Sequence, residues 1–412
     1  MRIVKNLKIP GFAFLLFFPG FFAYHSLVGL GYLTPFLGGF FRPIAIIFLP
    51  IFVLLFFRRL NDGSIVLNRL DCFFVVIFIY SGFVGLINYA LGSGLEIEAE
   101  LLESTISRLT LNLAMYLLAR TVGYESHTLK KIIIFSLLIM CGVAFFNIGQ
   151  SGIFYLAVDV ADQDSVAGYQ SFARSIVVVA IFALAVTKSI PFFLVLSIIS
   201  LAGLFVNGAR SELIGFVVSL FFVVFYKFNI KKSLFGLILL ISSLLVLINI
   251  VPSEIIEGNR FMELLYEGKS SSVMARSELS DAAIVTIVEN PLLGDYGSYA
   301  LATGGGVGSY AHNLLSAWVD LGVFGFILYV ASFLFMGLAI FNAQTKEKDE
   351  DVLLNIVVGL FFFTIPLMLL SKDYGYLLFG LTIGFVARMI DVSRRKYSVQ
   401  LRPQGCSKFS AK

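Results

Sequence analysis

Charged residues are scarce in this chain. Asp, Glu, Lys and Arg make up 14% of its 412 residues, whereas hydrophobic residues make up 58%. A typical soluble domain has about 25% charged and about 45–50% apolar residues, so the composition excludes an ordinary soluble domain. Apolar runs of about 20 residues, the length that crosses a bilayer, recur along the sequence. They predict an all-α polytopic membrane protein.

Cysteine is also rare, with three residues in the whole chain. Cys72 and Cys141 fall in predicted spans, and Cys406 lies in the C-terminal tail. This distribution favours neither a disulfide framework nor a metal site. No acidic cluster suited to a metal lies near the candidate site residues, so the sequence predicts a reaction without a metal or a cofactor.

The apolar runs predict about twelve transmembrane helices with both termini on one side. One alternating set of loops holds 22 of the 30 basic residues, which makes that set cytoplasmic under the positive-inside rule. The 313–341 run is too long for one span, so its start is expected to project outward or lie along the surface. The predicted spans are 11–24, 38–57, 72–91, 101–119, 131–149, 172–187, 190–206, 211–227, 234–252, 313–341, 352–370 and 374–391.

A large outer connection divides the chain. We expect spans one to nine in 1–252, a periplasmic loop in 253–311, spans ten to twelve in 312–391 and a basic cytoplasmic tail in 392–412. Within the loop, 274–289 (MARSELSDAAIVTIVE) predicts an amphipathic helix at helical apolar spacing. Its predicted apolar face holds Leu279, Ala282, Ala283, Ile287 and Val288.

Three arginines and a histidine stand where helices begin on the predicted outer side. Arg174, Arg210 and His312 lie at the starts of predicted spans, and Arg276 lies near the start of the amphipathic helix. A cation at a helix N-terminus is unfavourable by about 0.3–1 kcal/mol, whereas an anion there is stabilised. The four residues together therefore indicate an anion site, and arginine suits phosphate because its guanidinium binds in bidentate fashion.

Each arginine also has a simpler explanation. Arg174 lies at an outer membrane boundary, where arginine side chains extend to the lipid headgroups. Ser211 and Glu212 are near enough in sequence to satisfy Arg210. Arg276 fits a solvated loop residue. The anion site and these local explanations remain alternatives at this stage.

The histidine suggests a chemistry for such a site. A pyrophosphate-linked lipid donor already has a good leaving group, which needs charge stabilisation, while a sugar hydroxyl acceptor needs a base such as histidine. The alternative is a structural role for His312. Trp318, the only tryptophan, fits either an interfacial anchor or a sugar platform. Asp320 follows His312 by eight residues, about 80° around a helix, so the two should not pair along one face.

Two stretches carry a family resemblance. "MARSELSDAAIVTIVENPLLGDYG…SYAHNLLSAWVDLGVFGFILY" resembles the shared C-terminal region of the bacterial O-antigen ligases and Wzy-type O-antigen polymerases. The shared pattern is an arginine that opens a helix, then NPLLG, a loop, HN, and finally Gly322 and Gly325. "GARSELIGF" is similar to the family's arginine-containing motif. The resemblance covers roughly 205–330, and elsewhere only the hydropathy is similar.

The resemblance implies a GT-C-like membrane glycosyltransferase that uses undecaprenyl-diphosphate-linked glycans. It implies that His312 acts as the catalytic residue near the acceptor, and that Arg210 and Arg276 bind the diphosphate with help from Arg174. The family often has glutamate where this chain has Asp320. The predicted supporting residues are Asn313, Asp320 and Tyr310.

Three functions are compatible with this pattern. A polymerase would extend lipid-linked repeat units, a ligase would move the finished glycan to lipid A core, and a transporter would carry the lipid-linked oligosaccharide. Transporters place ionisable groups near the bilayer midplane, which this chain does not. The sequence favours the polymerase on its phenylalanine-rich composition, with 44 Phe, and because Arg260 and Lys269 face acidic outer residues and offer a phosphorylated core only a weak basic surface. The expected partners are the lipid-linked oligosaccharide, membrane lipid and a chain-length regulator protein in the bacterial inner membrane, with no nucleic acid.

Overall fold

The computed structural model describes residues 8–37, 39–91, 96–123, 126–147, 168–228, 271–298, 313–344 and 352–400. All regular structure in these ranges is helical, which confirms the predicted fold class of an all-α polytopic membrane protein. The helices are α1 (Ile9–Gly29), α2 (Phe41–Asn61), α3 (Arg69–Leu91), α4 (Glu96–Thr121), α5 (His127–Phe146), α6 (Tyr169–Val186), α7 (Ile190–Asn207), α8 (Arg210–Lys227), α9 (Ser271–Glu289), α10 (Leu315–Gln344), α11 (Val352–Leu370) and α12 (Leu378–Gln400).

Eleven of these helices coincide with eleven of the twelve predicted spans. The remaining predicted span, 234–252, lies outside the described residues. Within the described ranges, eight helices are long and apolar enough to cross a membrane. The other three predicted spans, α4, α8 and α12, carry charged residues near an end. Each of the three nevertheless has a stretch that is buried in the bundle, where neighbouring helices supply partners for polar groups.

The centre of the bundle is formed by α6 and α11. Nearly every residue of α6 from Phe172 to Ala185 is buried, and α11 is buried along most of its length. Phenylalanines of α1 pack onto this centre. The ring centroids of Phe14 and Phe182 lie 4.4 Å apart, and Phe182 also contacts Phe385 of α12 at 5.5 Å. This aromatic packing holds α1, α6 and α12 together.

The loops sort into two ends of the bundle. One end, called the Arg120 end, is fixed by Arg120, whose buried guanidinium lies 3.3 Å from Asp71 and 2.8 Å from Asp391. At the same end, Lys227 at the end of α8 donates to the carbonyl of Leu184 near the end of α6, at 2.6 Å. The opposite end, called the Arg174 end, holds the starts of α6 and α8. The predicted cytoplasmic loops fall at the Arg120 end, and its orientation in the cell stays a prediction.

Helix α10 is broken near its start. Gly322 has φ +68° and ψ −176°, which is not a helical conformation. A residue with a β-carbon rarely adopts a positive φ, so glycine suits this position. The break separates the first turns of α10 from the long span that follows. This is the physical reason why the predicted 313–341 run exceeds the length of one span.

Helix α9 has a narrower apolar face than predicted. Ala283 is fully buried against Val319 of α10, and Leu279 and Ile287 pack beside it. These three residues form a single row at spacing i, i+4, i+8. The assignment of Ala282 and Val288 to the same face was wrong, because both are exposed and Val288 is 73% accessible.

Candidate active site

The turn between α7 and α8 delivers Arg210 to the Arg174 end. Gly208 adopts φ +73° and ends α7, and α8 begins at Arg210. Glycine is the usual residue at such a left-handed helix cap. Arg174 lies in the second turn of α6, whose first residue is Tyr169. The two arginines therefore reach the same end from neighbouring helices of the bundle.

A lysine not singled out from the sequence completes this cluster. Lys372, in the turn between α11 and α12, lies 2.6 Å from the Glu212 carboxylate, and both side chains are buried. The same ammonium donates to Gln170 Oε1 at 2.7 Å. The sequence assigned Lys372 to an outer loop but gave no sign of its partner. Glu212 is 160 residues away, and hydropathy carries no information about such a pairing.

Glu212 has an interaction different from the one that its sequence position suggests. Its carboxylate pairs with Lys372 and accepts a hydrogen bond from the Ser211 hydroxyl at 2.8 Å. Glu212 thus forms a long-range pair between α8 and the α11–α12 turn, and the local role of Ser211 and Glu212, that of satisfying Arg210, stays an alternative. Because Lys372 also binds Gln170, it links the start of α8 to the start of α6.

Arg174 points into the bundle. Its guanidinium carbon lies 4.9 Å from the ring centroid of Phe41, and it is close enough to Glu212 and Tyr376 to interact with them electrostatically. Its buried Nε has no hydrogen-bond partner among the residues that the structure describes. An unsatisfied polar atom of this kind costs about 1–3 kcal/mol. This geometry does not fit an arginine that extends to the lipid headgroups.

Cationic side chains outnumber carboxylates in the described part of this cluster. Among the described residues it contains three cationic side chains, Arg174, Arg210 and Lys372, and one carboxylate, that of Glu212. The sum is two positive charges in a largely buried setting. Burying net charge is unfavourable unless a counter-charge is present. The arrangement therefore suits a ligand with two negative charges.

A second polar group lies around Asp320. Its carboxylate accepts a hydrogen bond from the Gly297 amide at 3.2 Å and one from the Tyr374 hydroxyl. Burial and the Asp320 carboxylate raise the pKa of Tyr374 well above its usual range, so this phenol stays a proton donor. Arg108 forms an ion pair with Asp373 at 3.1 Å beside it. The predicted supporting residue Asp320 thus ties the loop after α9 to the α11–α12 turn.

Asn313, the other described supporting residue, caps α10. Its Oδ1 accepts a hydrogen bond from the Leu315 amide at 3.0 Å, and its Nδ2 lies 3.4 Å from the Ser280 hydroxyl of α9. Asparagine is a preferred residue at this position because its side chain satisfies a free helix N–H. The cap fixes the start of α10 against α9.

Two glycine-containing parts of the family pattern, NPLLG and the segment around Gly322, contact each other in the structure. The Val323 amide donates to the Pro291 carbonyl at 3.2 Å, and the Asp295 amide donates to the Val319 carbonyl at 2.6 Å. A β-carbon at Gly322 would collide with the Leu292 carbonyl. The NPLLG turn can therefore pack against α10 only where Gly322 breaks the helix and leaves room for the Leu292 carbonyl.

Trp318 belongs to this turn as well. Its indole Nε1 donates to the Pro291 carbonyl at 2.8 Å, and its ring stacks on Phe326 at 4.9 Å. Neither predicted role of Trp318, the interfacial anchor or the sugar platform, included this hydrogen bond to Pro291. The contact makes Trp318 part of the packing between NPLLG and α10.

Three predicted site residues cannot be placed in this geometry. His312 and Tyr310 lie outside the described residues, and of Arg276 only the backbone is described, within α9. Lys372 and Gln170 are the residues that the sequence reasoning missed, and Glu212 was considered there only as a local partner of Arg210. The one signal available for Lys372 was its position in a short outer turn of the sequence SKDYGY.

Residues 195–330 match the family model described as O-Antigen ligase. The match includes Arg210, Arg276 and His312, and it leaves Arg174 and Lys372 outside. No curated protein matches the chain. The resemblance to the O-antigen ligases and polymerases is confirmed by this match. The apolar helices indicate a multi-pass membrane protein, and the match over 195–330 supports, in general terms, a function of O-antigen ligase or polymerase type.

Proposed function

From the O-antigen ligase family match of residues 195–330, we propose that this protein is a glycan polymerase of the bacterial inner membrane. It transfers a growing glycan from undecaprenyl diphosphate to the terminal sugar of a new lipid-linked repeat unit. The transfer takes place at the Arg174 end, which faces the periplasm, and both termini are cytoplasmic. A chain-length regulator protein is the expected partner.

The observation that carries the proposal is the excess of cationic side chains over carboxylates among the described residues at the Arg174 end. Arg174, Arg210 and Lys372 supply three cations and Glu212 one carboxylate. A diphosphate that joins a lipid to a sugar has two ionised phosphates, which balance the remaining two positive charges. In a site with little water, such fixed charges stabilise the developing charge on the leaving group strongly. Protein cations supply this stabilisation in our proposal, so it needs no metal ion.

The cap of α10 supports a joint role for Arg276 and His312. Asn313 contacts Ser280 of α9, and Arg276 precedes Ser280 by one helical turn. His312 is the residue directly before Asn313. The contact between α9 and the start of α10 therefore brings Ser280, one turn after Arg276, close to Asn313, the neighbour of His312. We assign Arg276 to the diphosphate and His312 to the acceptor.

The proposed reaction is a substitution at the anomeric carbon of the donor glycan. The acceptor hydroxyl oxygen forms the new bond to this carbon while the bond from the carbon to the diphosphate oxygen breaks. His312 takes the acceptor proton, and undecaprenyl diphosphate leaves with the bonding electron pair. The leaving group gains one negative charge, which Arg174, Arg210 and Arg276 stabilise.

The described surface favours the polymerase over the ligase. A ligase acceptor is a phosphorylated lipid A core, which needs exposed cations for its approach. At the Arg174 end, the exposed Arg42 is already paired with Glu103, and Arg108 is paired with Asp373. The family description nevertheless names ligases, so the ligase is the second candidate.

Lipopolysaccharide from a deletion strain separates the two functions. Loss of a polymerase leaves core with a single repeat unit, whereas loss of a ligase leaves core alone while lipid-linked polymer accumulates. The purified protein should also lengthen lipid-linked repeat units without any lipid A core. Core without any repeat unit in the deletion strain would reject the polymerase and support the ligase.

A further inference from the structure

A large crevice opens at the Arg120 end, away from the candidate active site. It has a volume of about 620 Å³ and lies between the start of α3 and the last turns of α10 and α12. This volume falls within the range of about 300–1,000 Å³ found for small-molecule sites. The proposed function uses no part of it.

The walls of the crevice change from apolar to basic along the helices. Phe335 and Leu338 line it on the membrane side, and Asn342 lies one turn further along α10. Arg69 and Arg394 line it at the end of the bundle, from α3 and α12. The gradient matches a molecule with an apolar tail and an anionic head.

The two guanidinium groups at the mouth are available for a ligand. Arg69 and Arg394 are exposed, and neither has an ion pair or hydrogen bond with another described residue. The carboxylates of Asp71 and Asp391, which are close in sequence to Arg69 and Arg394, are both held by the buried Arg120. None of the described residues that line the crevice is acidic, so the described part of its mouth carries two positive charges.

From this geometry we infer that the crevice binds an anionic phospholipid. The lipid phosphate lies between Arg69 and Arg394, and an acyl chain lies along Phe335 and Leu338. Basic pockets between transmembrane helices are known to hold anionic lipid headgroups. The C-terminal tail of the chain is a poor occupant, because it carries the same sign of charge as the crevice mouth.

The test uses the full-length protein in lipid nanodiscs, with native mass spectrometry of the lipids that it retains. Phosphatidylglycerol should be retained in preference to phosphatidylcholine. Each basic residue near the membrane surface contributes about 1 kcal/mol to anionic lipid binding, so Arg69→Gln with Arg394→Gln should weaken phosphatidylglycerol binding about 30-fold. Ala339→Phe, which fills the crevice but keeps both charges, should also displace the lipid.

Matched control variants test whether lipid binding depends on the crevice itself or on the overall positive charge of the Arg120 end. Arg58→Gln with Lys131→Gln removes two exposed cations from the same end outside the crevice. Leu334→Phe enlarges an exposed residue of α10 that does not line it. Both should retain phosphatidylglycerol as the wild type does. Equal loss in test and control pairs, retention by the Arg69/Arg394 variant, or competition by inorganic phosphate alone would each overturn the inference.

Discussion

The Lys372 ammonium lies 2.6 Å from the Glu212 carboxylate, and the two residues are buried at the point where α8 meets the α11–α12 turn. Removal of one partner from a buried ion pair leaves the other charge without compensation, which typically costs about 3–5 kcal/mol. We expect Lys372→Met to lower the free energy of unfolding in detergent by that amount.

The double variant Glu212→Gln with Lys372→Met checks the cause of this loss. It removes both charges, so most of the lost stability should return, as seen when buried pairs are replaced together. A double-mutant cycle measures the coupling between the two side chains. Additive losses would show that the pair does not stabilise this junction.

We expect Arg210→Lys and Arg276→Lys to lose most transferase activity although both keep their charge. Lysine lacks the planar fork that binds a phosphate through two parallel hydrogen bonds. Hydrogen bonds to charged groups contribute about 1.5–3 kcal/mol, so each variant should turn over roughly 10–100-fold more slowly. Arg42→Lys, in an exposed pair with Glu103, is the control and should remain active. Normal activity in both test variants would remove bidentate binding from the proposal.

The break in α10 gives a prediction about stability. Gly322→Ala places a β-carbon at φ +68° and against the Leu292 carbonyl. Strained backbone of this kind costs about 1–3 kcal/mol, and the collision adds to it, so thermal stability in detergent should fall. Gly337→Ala, in the same helix with its nearest neighbour at 3.5 Å, should be neutral. Equal stability of the two variants would mean that the NPLLG turn does not require the break.

Cysteine labelling of intact cells tests the orientation. The loop around residue 231 is predicted to be cytoplasmic and the loop around residue 269 periplasmic, because the basic residues divide 22 to eight. In a chain without its native cysteines, Lys269→Cys should react with an impermeant thiol reagent, and Lys231→Cys should react after the membrane is permeabilised. The reverse pattern would invert the topology.

Hydropathy was enough to predict most of the fold. The spans follow from composition alone, since a bilayer imposes helices of a certain length. The face of α9 was predicted less well because helical spacing defines a wide stripe. Its partner α10 covers only the row of Leu279, Ala283 and Ile287. Packing against a neighbour, which the sequence does not show, decides how wide a buried face becomes.

Only part of the candidate site could be predicted, because its remaining contacts also depend on how the helices pack. Arg174 and Arg210 could be singled out because a cation at a helix start is locally unfavourable. Lys372 follows the end of α11, where a cation is locally favourable, so no such signal exists. Its pairing with Glu212 depends on how α8 and the α11–α12 turn meet, and only the three-dimensional structure contains this information.

His312 provides the last prediction, since its proposed role is chemical and not structural. It directly precedes the cap of α10, and the partial positive charge of a helix N-terminus disfavours the imidazolium form. The neutral form is the one that accepts a proton. Loss of a positioned general base typically costs about 10²–10⁴-fold in rate, so His312→Ala should turn over lipid-linked repeat units more slowly by that factor while it still binds the donor. The control is His127→Ala, an exposed histidine at the start of α5, which should remain active. Near-normal turnover of His312→Ala would show that His312 has a structural role. Lost donor binding with an intact fold would show instead that His312 binds the diphosphate.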